Sequence, residues 1–234
     1  MSVAVYVFPH PDDESFGPAA VMHRQRREGH EVHLLTLTRG EATRVRHELG
    51  LSREEMGAVR YREMEAMARQ LDLSSLTVLH LPDGALKEVD PREIEAAVSA
   101  HIESLRPNLV VTYPAHGVSG FEDHLVTHAA VKRVFCELRD RPAAGLMRLA
   151  FTTLRETPTD RPIPLRASKP HEIDCAVPVT PEDRGVQRRA LACYESYRKV
   201  IEDQDPASVS GDHEYFEIFQ ERHMPPLPDL FAGL

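Results

Sequence analysis

The chain has 234 residues, 28 basic and 37 acidic side chains for a net charge of −9, and 41% hydrophobic residues. That composition suits a globular protein with a sizeable core and excludes wholesale disorder. An acidic balance without a basic run excludes a phosphate-tracking nucleic-acid surface, and the first apolar stretch, 3–8, is too short for a secretory or membrane-spanning segment, so a cytoplasmic protein with no membrane contact is expected.

Short β-branched runs alternate with longer amphipathic ones through the first half, the pattern of βαβ units. Strands are expected over 3–8, 32–38, 77–81 and 109–113, mostly as continuous apolar runs, which suits a parallel sheet covered on both faces. Helices are expected between them over 16–28, 53–71 and 91–105, and a fourth is expected to begin near His124 behind Asp123 as its N-cap. The second half is less regular. A strand over 149–154 precedes a stretch with Pro158, Pro162, Pro164 and Pro170, which suits a loop or lid rather than a helix interior or central strand. A strand over 173–177 follows, and Thr180-Pro181-Glu182-Asp183 carries the cap, first-turn proline and early acids of a helix running to Val200. The tail from Pro225 reads as peripheral, and Cys136, Cys175 and Cys193 read as core thiols. The expected fold is α/β and Rossmann-like, a mostly parallel sheet with helices on both faces. One domain is expected, with a core over 1–155 and a less regular remainder, 156–234, whose loop, strand and helix complete the site.

The densest chemistry is Pro9-His10-Pro11-Asp12-Asp13-Glu14, directly after the first strand. That is the carboxyl edge of the expected sheet, where parallel α/β folds bind ligands. Pro11 biases His10 towards extended backbone, so its imidazole projects from the strand end. His10 and Asp13, three residues apart around the turn, can converge on one metal while Asp12 points elsewhere. Acids at a helix start also complement its dipole, but a histidine followed by three carboxylates exceeds what capping requires. A third ligand has to come from another segment, and His124, after the fourth strand and the glycine-containing loop 117–120, is the best placed. His128 shares its helix face, but nothing beyond spacing supports a ligand role there. Two histidines and one carboxylate with open positions suit catalytic zinc, and the same set suits iron(II).

With these segments the sequence resembles the PIG-L/LmbE-like zinc-dependent de-N-acetylases, which include the deacetylases of glucosaminyl-phosphatidylinositol, mycothiol and bacillithiol biosynthesis. His10-Pro11-Asp12-Asp13-Glu14 matches the family's opening motif, Thr38-Arg39-Gly40-Glu41 its second strand end and Leu81-Pro82-Asp83-Gly84 its third, with a looser match over 190–197. The likeness spans about the first 135 residues. It implies His10, Asp13 and His124 as zinc ligands, Asp12 as general base, and Glu14 and Asp123 as supporting or capping residues. The chemistry is consistent: an amide is a poor electrophile, so a metal must acidify water and polarise the acyl oxygen, while a carboxylate takes a proton and returns it to the leaving amine.

One departure stands out. The family's second motif reads His-Pro-Asp-His, and here Phe121-Glu122-Asp123-His124 takes its place, without the first histidine that the family uses near the tetrahedral intermediate. His116, ahead of His213, is expected to fill that role. Arg44 and Arg46 are expected to hold an anionic group of the substrate. The implied substrate is a small-molecule amino-sugar conjugate, N-acetylglucosaminyl malate of bacillithiol biosynthesis being the expected one, and a homo-oligomer is compatible with this reading. Two other classes compete. A noncatalytic metal-dependent sugar-binding module of the same fold would have no need of Asp12 as a base. A dinucleotide-binding oxidoreductase fails where Asp12, Asp13 and Glu14 replace a glycine-rich cradle and would repel a pyrophosphate.

Overall fold

A computed structural model of the chain describes residues 1–141, 145–159, 162–209 and 211–234. The elements in order are β1 (Val3–Phe8), α1 (Asp13–Phe16), α2 (Ala19–Arg27), β2 (Glu31–Thr38), α3 (Val45–Glu48), α4 (Arg53–Gln70), β3 (Ser75–Leu81), α5 (Pro91–Leu105), β4 (Leu109–Thr112), α6 (Glu122–Leu138), β5 (Arg148–Thr153), β6 (Cys175–Pro178), α7 (Pro181–Ala192), α8 (Arg198–Gln204) and β7 (His213–Ile218). The strands form one sheet in the order β3-β2-β1-β4-β5-β7-β6. β1 to β5 are mutually parallel, and β7 runs antiparallel between β5 and β6. The order reverses between the neighbours β1 and β4, so their carboxyl ends flank the crevice in which open α/β sheets bind ligands.

The continuous apolar runs serve two cores. Along β1, Ala4, Tyr6 and Phe8 pack with Met22, Met64 and Ala190 on one face, while Val5 and Val7 pack with Ile94, Val98 and Val131 on the other. Helix starts follow local chemistry. Ser52 accepts the Glu55 N–H and the Glu55 carboxylate accepts the Ser52 N–H, a reciprocal cap that opens α4.

Several expectations need correction. The helix expected over 16–28 is broken, because Pro18 has no N–H and disfavours helical backbone at Gly17, which leaves the short α1 and the separate α2. The helix from Pro181 stops at Ala192, and a 3-10 turn over Glu195–Tyr197 precedes α8. This break turns Tyr194 inward, where its hydroxyl donates to Glu14 at 2.7 Å. Asp123 is not the N-cap of α6; that position belongs to Phe121, which offers no side-chain cap. β7 was not expected at all, although Glu214, Phe216 and Ile218 alternate as its buried face.

The tail is not peripheral. Leu227 pairs with the β6 region through Ala176 N–H to Leu227 O at 2.8 Å and Leu227 N–H to Asp174 O at 2.9 Å. Leu230 and Phe231 are buried, and Arg148 donates to the carbonyls of Leu230 and Ala232. Of the cysteines, all free, only Cys175 is fully buried. Among the described residues no helix is long and apolar enough to cross a membrane.

Candidate active site

The site grows from the end of β1. Asp12 adopts a left-handed backbone, φ 81°, and the turn it makes brings Asp13 back beneath His10, whose N–H donates to Asp13 Oδ2 at 2.9 Å. The His10 side chain is held at both nitrogens. Its Nε2 lies 3.1 Å from Asp123 Oδ2 and 3.3 Å from Asp83 Oδ1, while Nδ1 faces Asp13 Oδ2 at 3.5 Å. His124, in the first turn of α6, donates from Nδ1 to the Gly117 carbonyl at 2.9 Å, which leaves Nε2 facing Asp13 Oδ1 at 3.4 Å. Gly117 has φ +67°, and a Cβ there would lie 3.0 Å from the Cβ of His124, so glycine is what lets this carbonyl come so near. Tyr113, just past β4, stacks on the His124 ring at 4.1 Å and donates its hydroxyl to Asp13 Oδ1 at 2.8 Å.

These residues fit a divalent cation. Ligand atoms of His10, Asp13 and His124 lie within 4.8 Å of one another. His10 Nδ1 lies 3.5 Å from Asp13 Oδ2 and His124 Nε2 lies 3.4 Å from Asp13 Oδ1, so the carboxylate stands between the two imidazoles. Each imidazole has its far nitrogen fixed by a carboxylate or carbonyl, the support that orients metal-binding histidines. Burial opposes charge on His10, yet Asp123, Asp13 and Asp83 outweigh it and hold its pKa up at about 10, so the cluster draws in positive charge. Burial keeps His124 below its ordinary value, hence neutral. His10, Asp83 and Asp123 form a second grouping. Its carboxylates are already engaged by backbone: Asp123 accepts the N–H groups of Gly84 at 2.8 Å and Leu86 at 3.1 Å, and Asp83 accepts that of Ala42 at 2.6 Å.

Asp12 is held by Arg60 in the same cavity as the ligands. Arg60 Nη2 donates to Asp12 Oδ2 and to the Pro11 carbonyl, both at 2.7 Å, and the guanidinium lies over the Tyr197 ring at 4.0 Å. Burial pushes the Asp12 carboxyl up to about 6, although Arg60 works in the opposite direction. Arg60 itself is buried in the apolar stripe Met56, Arg60, Met64 and Met67 of α4. Glu14 touches no ligand; it is fully buried, accepts the hydroxyls of Ser15 and Tyr194, and is pushed by burial up to about 7.

The remaining expected residues divide sharply. Arg44 lines the cavity of about 920 Å³ that holds the cluster, and Arg46 does not. His116 lies outside that lining, with Nδ1 accepting the Val118 N–H at 3.2 Å and Nε2 near Ser168 Oγ at 3.3 Å. His213 stands at the start of β7, bonded to Asp212 at 2.8 Å, also outside the cavity. Hydrogen bonds to Val118 and Ser168 hold His116, one to the Asp212 carboxylate holds His213, and neither side chain lines the cavity. His128 donates from Nδ1 to the Tyr113 carbonyl at 2.8 Å and packs on Phe151. Arg60, Asp83 and Tyr113 were given no role from the sequence. Asp83 lies in the Leu81-Pro82-Asp83-Gly84 segment, and an arginine within the apolar stripe of α4 was the available signal for Arg60.

Known proteins share sequence and fold with this chain. The sequence profile described as "PIG-L: GlcNAc-PI de-N-acetylase" matches residues 5–135. A "1D-myo-inositol 2-acetamido-2-deoxy-alpha-D-glucopyranoside deacetylase" of Kineococcus radiotolerans is 32% identical over 156 residues, 55% of this chain and 43% of that one. A Bacillus subtilis protein named "Probable N-acetyl-alpha-D-glucosaminyl L-malate deacetylase 2" is 30% identical over 152 residues, 64% of this chain and 68% of that one. The chain thus spans less than half the length of the Kineococcus relative. A deacetylase of the teicoplanin biosynthetic pathway, 17% identical, shares the fold with a TM-score of 0.72 over 94% of this chain and 99% of that one. On the matched segment and the residues it carries, the chain belongs to the PIG-L family of GlcNAc-PI de-N-acetylase type.

Proposed function

We propose that this protein is a metal-dependent amidohydrolase that removes the N-acetyl group from a small-molecule N-acetylglucosaminyl conjugate. The observation that carries this reading is the convergence of His10, Asp13 and His124 beside a half-buried Asp12 in one cavity. The names of the relatives supply the substrate class. His10 through Nδ1, Asp13, and His124 through Nε2 would hold the metal, zinc by the donor set and iron(II) as the other candidate. Such a metal supplies Lewis acidity at the acyl oxygen and lowers the pKa of water.

The chain's own residues do the rest. Asp12 takes a proton from the attacking water and delivers it to the leaving nitrogen, and a carboxyl at about 6 is ionised at neutral pH yet able to hold that proton in passing. Arg60, bonded to one Asp12 oxygen, fixes the direction of the other. Asp123 and Asp83 orient His10, and the Gly117 carbonyl orients His124. N-acetylglucosaminyl malate, the substrate in the name of one relative, is the reference conjugate for the assay. The test is metal analysis together with acetate release from N-acetylglucosamine conjugates by zinc-loaded protein. Stoichiometric metal with acetate release supports the reading. Tight sugar binding without any release would favour the noncatalytic module instead.

A further inference from the structure

The cavity continues past the metal-ligand cluster into a wall that amide hydrolysis does not use. Val118 and Phe121 come from the loop before α6, Leu154 from the end of β5, and Ile163 and Leu165 from the proline-containing segment beyond it. Phe121 keeps 48% of its surface exposed and stands edge-on to His124 with ring centroids 5.5 Å apart, so the apolar surface begins beside a ligand position. The three segments are fastened together. Arg166 N–H donates to the Val118 carbonyl at 2.7 Å, and Ser168 N–H to the Leu154 carbonyl at 3.0 Å. The buried Ser168 hydroxyl donates to Glu217 and lies within hydrogen-bond reach of Thr153 and His116, which uses its full capacity of one donor and two acceptor sites. His116 thereby anchors this wall.

Charge around the cavity is mixed: Arg44 and Asp203 line it, Glu122 is paired with Lys87 at 2.6 Å, and the Arg166 guanidinium lies beside Gly120. A contiguous apolar wall opening beside a catalytic centre is instead the surface that an apolar group would remove from water.

We infer that the aglycone of the conjugate is an apolar group, alkyl or aryl, laid against Val118, Phe121, Ile163 and Leu165, rather than a small hydroxy acid. This inference rests on the deacetylase reading for the sugar end of the substrate. The polar sugar stays with Asp12, Arg60 and Asp83, while the aglycone covers the wall, where burial of apolar area is the main source of affinity.

The experiment compares the malate, phenyl and octyl glycosides of N-acetylglucosamine with metal-loaded protein, measuring kcat/KM by acetate release. The phenyl or octyl glycoside is expected to exceed the malate glycoside by about tenfold or more, and the two arms separate aryl from alkyl preference. Leu165→Ser is expected to lower the preferred apolar glycoside by about tenfold while lowering free N-acetylglucosamine much less. A malate glycoside that is turned over as well as or better than both, or an equal loss on all substrates in Leu165→Ser, overturns the inference and leaves the deacetylase reading standing. Calorimetry with the octyl and malyl glucosaminides covers the remaining case. If no glycoside releases acetate, the deacetylase reading fails; tighter octyl binding still supports the apolar wall, and equal or weaker octyl binding overturns it.

Discussion

Asp12 pays for a left-handed backbone, about 1–3 kcal/mol for a residue with a Cβ, and what that turn achieves is the separation of two adjacent carboxylates. Asp13 joins the ligand cluster and Asp12 meets Arg60. Asparagine tolerates the same backbone, so Asp12→Asn is expected to keep its metal and lose about two to four orders of magnitude in kcat. Metal content and acetate release on the same preparation check this, and near-normal turnover would remove Asp12 from the mechanism. Gly117 supports the opposite side of the cluster. Gly117→Ala is strained at φ +67° and places its new methyl 3.0 Å from the Cβ of His124. Loss of a histidine's outer support typically weakens metal binding by about 10–100-fold, and a zinc competition assay is expected to show a loss in that range with all three ligands still in place. His10, Asp13 and His124 were legible because each stands at a strand end or helix start that local pattern marks. Arg60 was not, since its role depends on α4 lying across the β1 turn. The setting of His116 is not legible in the same way, because a sequence does not show which way a loop side chain turns, and here hydrogen bonds hold it to the Val118 N–H and the Ser168 hydroxyl.

α2 and α7 are joined by two carboxylates of α7, an exposed Glu182 that pairs with Arg27 and a buried Asp183. Asp183 accepts the Thr180 N–H at 3.1 Å and hydroxyl at 2.6 Å as part of the α7 cap, and it meets His23 and Arg27 of α2 at 3.3 Å each. Burial raises its pKa, but Thr180, His23 and Arg27 outweigh that and hold the carboxyl below its ordinary 3.8. A depressed folded-state pKa stabilises the fold fully above the unfolded value, and the stabilisation disappears as pH falls through the folded value. Asp183→Asn is therefore expected to cost about 1–2 kcal/mol at pH 7, and its deficit is expected to narrow once pH drops below 3.8. Urea titrations of both proteins at neutral and acid pH measure this; a deficit that is the same at both would show that the charge is not responsible. At this scale β1 to β5 were readable because continuous apolar runs have few alternatives in a two-faced parallel sheet. Helix interruptions at Gly17-Pro18 and after Ala192 were less so, since the second serves a tertiary contact, Tyr194 with Glu14. β7 escaped notice although its sequence alternates, because Gly211-Asp212-His213-Glu214 also reads as a loop.

The sheet draws its last strands and the tail from the less regular part of the sequence, and neither the antiparallel β7 nor the pairing of Leu227 beside β6 could be read from local pattern, because both are set by long-range hydrogen bonds. The ligand cluster is long-range in the same way: His10 and Asp13 follow β1, and His124 opens α6 beyond β4. A metal bound there closes contacts that the unfolded chain lacks, so its binding energy adds to stability. At a free concentration of about 1,000 times Kd it contributes about 4 kcal/mol, or a rise of about 8–16 °C in Tm for a chain of this size. A chelator is expected to reverse the rise, and His124→Ala to abolish it. The metal also has a competitor. Without it, Asp123, Asp13 and Asp83 hold a proton on His10 with a pKa of about 10, so binding at neutral pH must release that proton. Raising the pH removes the competitor, and Kd is expected to fall about tenfold per pH unit between about pH 6 and pH 8. Calorimetry in buffers of different ionisation enthalpy is expected to count about one proton released per metal bound. A pH-independent affinity with no proton release would show either that His10 carries no proton before the metal binds or that it is not a ligand, and the metal content of His10→Ala separates the two.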